Sequence, residues 1–227
     1  MNIIPLKKFV CIVVVTLSSL YISCSDGAVK KGNSCLTIGD YRLAIYFYEK
    51  ELKDNPLCFE ARLGIGKALL QQIADNNNDS LLWKNALMHL EAARNLHSSE
   101  ELSVLVSEAW FARARMMLSC KDTIEALNAL SRSIEINNKN ADAINNTGII
   151  YFRRGEADKA EILFRKATVI DNTNAAGFFN LGMVMWSKKD YLQAKKHWIT
   201  ASRFSPADDD IVYWLAQAEK KIQEPDK

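Results

Sequence analysis

The chain has 227 residues, with 29 Lys and Arg against 27 Asp and Glu. Residues 1–23 hold Lys7 and Lys8 and no acid, so the remainder carries 27 basic (29 − 2) against 27 acidic residues and is neutral. No basic stripe is left to neutralise phosphates, which removes the electrostatic footprint of a nucleic-acid binder, while the remaining chain of roughly 200 residues is long enough for a sizeable core.

The first 24 residues differ from all that follow. "MNIIPLKK" is a short basic region, "FVCIVVVTLSSLYI" an apolar run of export-signal length, and Ser23 precedes Cys24. The run is short for a membrane span, which needs on the order of 20 apolar residues. "LYISC" resembles the lipobox of bacterial lipoproteins, with Tyr21 and Ile22 in the places of Leu and Ala. That resemblance implies a signal peptide over residues 1–23, a diacylglyceryl thioether on Cys24 and a periplasm-facing chain anchored in the bacterial cell envelope. Ser25 after the cysteine, in place of Asp, implies outer-membrane sorting. A simple secretory signal and an uncleaved anchor are the competing readings.

Beyond the signal, a helix is predicted from about Asp26 to Leu36, and "GDYRLAIYFYEKELKDNP" (39–56) reads as a second helix that follows a turn. Between 59 and 106 the spacing stretches. Gly66 and Ala86 lie 20 apart where 12 is expected, so about eight residues are inserted, with "ADNNNDS" as the loop. Ser80 is placed to cap a helix through "LLWKNALMHLEAARNL", and "SSEEL" (98–102) to start a longer helix through Met117.

Residues 107–208 repeat. Laying Asn146 over Asn180 brings Gly148, Ala160 and Ala167 onto Gly182, Ala194 and Ala201. The period, about 34 residues, is that of stacked helix–turn–helix units. Within residues 141–174, Ala141, Ile144, Gly148 and Tyr151 recur at helical spacing, "RRGEAD" breaks the run, and Ala160, Phe164, Ala167 and Ile170 resume it. Small residues at Gly148 and Ala160 allow close approach, with Tyr151 and Phe164 to fill the space beside them. "DDIVYWLAQAEKKIQ" (209–223) is a last amphipathic helix, acidic at its start and basic near its end, that would close the exposed core.

These residues resemble the tetratricopeptide repeat (TPR) family. Gly148, Tyr151, Ala160, Phe164 and Ala167 in residues 141–174, and Leu181, Gly182, Ala194, Ala201 and Pro206 in residues 175–208, stand at the family's consensus places. Residues 107–140 keep Trp110 and Ala126, with Arg113 and Ala114 where Leu and Gly are usual, and Ala44, Tyr48, Pro56 and Gly32 fit an upstream unit. The resemblance implies an all-α, right-handed α-solenoid over residues 24–227. Its repeats would be 25–58, 59–98 with the insertion, 107–140, 141–174 and 175–208, followed by a capping helix at 209–223.

In that family the first helices of successive repeats line an inner groove. Carried over position by position, the groove residues are Phe111, Arg115, Asn145, Asn146, Ile149, Phe152, Arg153, Phe179, Asn180, Met183 and Trp186, with Tyr213 and Gln217 from the capping helix. Aromatic anchors, an adaptable Met and amides that both donate and accept suit an extended or helical polypeptide. The alternative for Asn146 and Asn180 is that they only tie adjacent helices together, while the aromatics pack into the next repeat. Capture of a terminal carboxylate, which in the family needs Lys and Asn four residues apart on one first helix, finds no such pair here.

Chemistry is sparse elsewhere. His89, His97 and His197 have no Cys or His at metal-ligand spacing and read as surface or packing residues. "GIGKAL" (64–69) lacks the spacing of a phosphate loop, so its glycines read as packing positions, and "DDD" (208–210) reads as a helix start. By the repeat's geometry Cys35, Cys58 and Cys120 do not meet and are expected to be free thiols. No nucleophile–base pair occurs among the groove positions, and neither enzyme activity nor cofactor is predicted. The expectation is a lipid-anchored periplasmic scaffold that binds a protein partner and assists an envelope complex, such as outer-membrane-protein assembly, a pilotin-like role in a pilus, or a transporter. The competing class is a TPR lipoprotein whose Trp186, Phe179 and Met183 hold a small hydrophobic ligand.

Overall fold

The computed structural model describes residues 26–75 and 80–224. Among them are eleven α-helices and no strand. The predicted export signal, the lipobox-like stretch with Cys24 and residues 76–79 of the predicted loop lie outside the described residues. No described helix is long and apolar enough to cross a membrane.

Two compact units divide the chain, one through Leu102 and one from Ser103. The first holds α1 (Asp26–Thr37), α2 (Tyr41–Asp54), α3 (Phe59–Asp75) and α4 (Ser80–Leu96). Helix α5 (Glu100–Ser119) begins just before the division. The second unit continues with α6 (Thr123–Ile136), α7 (Ala141–Arg153), α8 (Ala157–Ile170), α9 (Ala175–Ser187), α10 (Tyr191–Phe204) and α11 (Asp209–Gln223). Helix α1 reaches one residue past the predicted end, and α5 two; the Ser99 hydroxyl accepts from Leu102 N at 3.2 Å at the start of α5.

The helices start and stop where side chains satisfy their free ends. Asp40, Asp122 and Asp190 cap the second helix of a pair by accepting from the N–H three residues on; Asn140 and Asn174 do the same for α7 and α9. Asp208 caps α11 through Asp210 N and Ile211 N. Each such cap is worth about 1 kcal/mol. Between the helices of a pair the chain turns through one left-handed residue, Gly39, Lys121, Gly155 or Lys189, at φ of 80°, 61°, 80° and 63°. The next N–H then reaches back across the turn, as Asp190 N does to Met185 O at 3.0 Å, which closes a Schellman-type stop.

Packing within each pair rests on a small residue opposite a large one. A Cβ at Gly148 would lie 2.6 Å from Phe164, and one at Gly182 would lie 2.2 Å from Trp198. The same device recurs in the first unit, where Tyr48 fills the space over Gly32 and Gly64, and Leu90 that over Gly66. Gly66 and Leu90 are 24 apart, against 16 for Gly148 and Phe164, so the difference of eight equals the insertion read from the sequence. Where Ala114 replaces glycine, Leu130 replaces the aromatic, and both are fully buried in one cluster.

In the first unit α1 packs on α2 and α3, α2 on α3, and α3 on α4. In the second, neighbours pack in sequence from α6 to α11, and α7 also touches α9. Helix α5 joins α6 through a buried polar node in which Ser107 and Ser133 hydroxyls lie 2.9 Å apart and Asn140 Nδ2 donates to both. One cysteine departs from expectation. Cys58 is disulfide-bonded, whereas Cys35 and Cys120 are free. The three do not pair with one another.

Candidate binding face

All thirteen sequence-predicted groove residues fall in the second unit, on the first helices α5, α7 and α9 and on α11. Helical periodicity puts them on one side of each helix, but their surroundings differ.

Asn145 is buried, and its amide oxygen accepts from Asn180 Nδ2 at 3.0 Å, a tie between α7 and α9. Asn146 turns back to its own helix and donates to Asp142 O at 2.9 Å. The inter-helix tie therefore belongs to Asn145 and Asn180, and Asn146 takes no part in it. A buried amide already bonded offers little to a ligand, because breaking that bond would leave a polar group unsatisfied at about 1–3 kcal/mol.

Ile149, Phe152, Phe179, Met183 and Trp186 are half-buried and lean on the core formed by α8 to α11. Trp186 is the most enclosed by aromatics: its ring lies 4.8 Å from Tyr191, 5.2 Å from Trp214 and 5.9 Å from Trp198, centroid to centroid. Trp198 is fully buried and donates to Phe179 O at 3.0 Å, so indole, helix backbone and Phe179 are fixed together. Phe111 leans in the same way on the cluster of α5, α6 and α7. Tyr213 remains 56% exposed and meets Trp214 edge-on. Arg115 and Arg153 are exposed and Gln217 is half-buried.

Sequence reasoning missed the carboxylates around these rings. A cavity of about 370 Å³ is lined by Phe111, Glu108 and Asp142, among others, and one of about 200 Å³ by Phe179, Asp208 and Asp210. Burial pushes the Glu108 carboxyl above its ordinary value. The signal that finds them is the repeat itself, read for charge instead of core: Asp142 and Asp210 are two periods apart. Among the described residues no group of His, Cys, Asp and Glu could hold a metal ion. His89 and His197 are half-buried, and burial is the first cause holding each below the ordinary imidazole range.

A family model described as tetratricopeptide repeat matches residues 29–74 and 122–175. Solved structures of similar fold include MamA, at 25% identity and a TM-score of 0.53, over 77% of this chain and 94% of that one. YrrB aligns at 19% identity and 0.52, over 85% and 90%. The Pseudomonas aeruginosa protein pilF aligns at 12% identity and 0.59, over 88% and 85%. A search of curated proteins found no relative. The likeness to these structures is one of fold.

Proposed function

We propose that this chain is a TPR scaffold that holds a polypeptide partner against the first-helix face of its second unit. The observation that carries the reading is the row of half-buried side chains, Phe111, Phe179 and Met183, each fixed from behind by a packed core while one side stays open. Such pre-organised anchors lose little entropy on binding. YrrB, of like fold, is described as a TPR protein with an unusual peptide-binding site, which supports a polypeptide as the ligand class.

The finer part of the proposal concerns place. The basic, apolar and cysteine segments of residues 1–24 support export and lipidation at Cys24, with the repeats facing the periplasm from the outer membrane. Only a few residues separate Cys24 from α1, so a membrane-bound or membrane-crossing partner in an envelope complex follows.

Site-specific photo-crosslinking tests the face. A photoreactive phenylalanine at Phe111 or Tyr213 should capture one protein partner in intact cells, whereas the same group at Ile162 or Leu192, exposed on the second helices α8 and α10, should not. Equal capture from both sets would remove the reading. For the anchor, Cys24→Ala should abolish palmitate labelling and membrane retention; unchanged labelling would reject the lipobox.

A further inference from the structure

We infer that the face carries two matched subsites for basic side chains, and that its partner is an extended segment with two Lys or Arg residues about five or six positions apart. The inference rests on the partner-face reading and adds the chemistry of the partner.

The two cavities are the same construction built twice. Phe111 and Asp142 line the first, Phe179 and Asp210 the second, and the offset from each residue to its counterpart (111 to 179, 142 to 210) is two repeat periods. Asn137 and Ser205 correspond in the same way, as do Asn140 and Asp208. One period along, the construction fails: Asn145 stands where the phenylalanine would be and is sealed by its bond to Asn180, and Ala176 stands where the carboxylate would be. The face thus alternates subsite, blank, subsite.

The lining selects the charge of the guest. In the first cavity Glu108, Asp142 and Asp171 face one cation, Lys139, a formal balance of −2 (3 acids, 1 base). In the second Asp208 and Asp210 give −2, with no basic residue in the lining. Asp142 also accepts weakly from Asn174 Nδ2 at 3.5 Å, and Asp208 is engaged in capping α11, so Asp142 and Asp210 are the carboxylates placed to turn toward a guest. An anion would be repelled, and a purely apolar side chain would desolvate carboxylates without return. Lys or Arg fits both parts: the methylene stem lies along the phenylalanine ring and the head reaches the carboxylate. Loss of solvent raises the Glu108 carboxyl, and a guest cation would oppose that shift.

Spacing follows from helix packing. The first helices α7 and α9 touch, packed helices lie about 8–10 Å apart, and two such steps make about 16–20 Å. An extended chain advances roughly 3.3 Å per residue, so it covers that span in about five or six residues.

The test uses the full chain in detergent and fluorescein-labelled Ala/Ser peptides that carry two arginines two to eight positions apart, read by fluorescence anisotropy. Affinity should peak at a spacing of five or six, fall with added salt, and drop when either arginine becomes norleucine or glutamate. Asp142→Asn and Asp210→Asn should each weaken binding by about three- to tenfold, while Asp210→Glu, which keeps the charge, retains it; melting curves of the three variants control for folding. Binding that is indifferent to peptide charge or spacing, binding unchanged in both Asn variants, or no binding up to millimolar peptide would each overturn the inference. If Phe111 and Tyr213 still crosslink a partner in that case, the face reading stands and only its basic specificity is lost. Equal crosslinking from Ile162 and Leu192 would remove the face itself.

Discussion

The clearest quantitative consequence of the fold concerns Gly182. An alanine in mid-helix is ordinarily about 1 kcal/mol better than glycine, so Gly182→Ala would stabilise α9 if nothing stood opposite. Trp198 does: the new methyl would sit 2.2 Å from its Nε1, 2.5 Å from Cδ1 and 2.6 Å from Cε2, against a carbon contact distance of about 3.5–4.0 Å. Relief demands a displacement of about 1 Å from a ring that is fully buried and held by its bond to Phe179 O. Overpacking of this kind costs about 1–3 kcal/mol, and a stranded indole N–H about 1–3 more. Less the propensity gain, the expected loss is about 1–5 kcal/mol. Urea unfolding followed by circular dichroism measures it, with Gly27→Ala as the control: no atom lies within 4 Å of a Cβ there, so that change should stabilise by about 0.5–1 kcal/mol. A second arm adds Trp198→Leu, which recreates the Ala114 and Leu130 pairing of the same unit. The double variant should lose less than the sum of the singles. A Gly182→Ala protein as stable as the parent, or fully additive losses, would refute the reasoning.

Three further outcomes are expected. Lys189 holds φ at 63° and is exposed, a conformation costing an L-residue roughly 1–2 kcal/mol; Lys189→Gly should therefore raise stability by about 0.5–1 kcal/mol after glycine's chain entropy is counted, seen as a higher melting temperature. Ser133→Ala should cost about 1–2 kcal/mol in urea unfolding by depriving Ser107 and Asn140 of a buried partner, and the Ser107→Ala, Ser133→Ala double should cost less than the sum, since one period on the same positions are Ala141 and Ala167. Burial, then Arg62, lowers the His89 imidazole; burial, then Arg165, lowers that of His197 against the opposing pull of Glu161 and Asp190. The unfolded chain thus binds more protons, so this stability is complete above about pH 6.5 and is lost as pH falls below it; melting temperature should drop between pH 7 and pH 5, less so in His197→Gln, and a flat profile would contradict the assignment.

What the sequence made legible is what repeats. Glycine facing an aromatic sixteen residues on needs no partner outside its own helix pair, so the packing roles of Gly148 and Phe164 could be read from the repeat, whereas Trp198 opposite Gly182 was not singled out. The all-α architecture and the eight-residue insertion followed from the same spacing, because helix length and turn chemistry are local. The bridge at Cys58 was not legible, since loop closure by a disulfide depends on where two distant segments meet.

The face was legible as a set of positions and illegible as a surface. Periodicity states which side of a helix a residue takes, and Asn145, Phe179 and Trp186 were placed on one side together. It does not state whether the next helix has already taken up that side chain. Asn145 is consumed because Asn180 lies within bonding distance, and Trp186 because Tyr191, Trp198 and Trp214 converge on it; both depend on contacts with neighbouring helices of the stack. Carboxylates escaped for the opposite reason. Asp142 and Asp210 each have a sufficient local explanation in the first turn of a helix, where the macrodipole favours negative charge. Only the recurrence of a phenylalanine at the same remove before each of them, Phe111 before Asp142 and Phe179 before Asp210, separates a charge that serves its helix from one that lines a cavity, and that distinction is what the Asp142→Asn and Asp210→Asn variants measure.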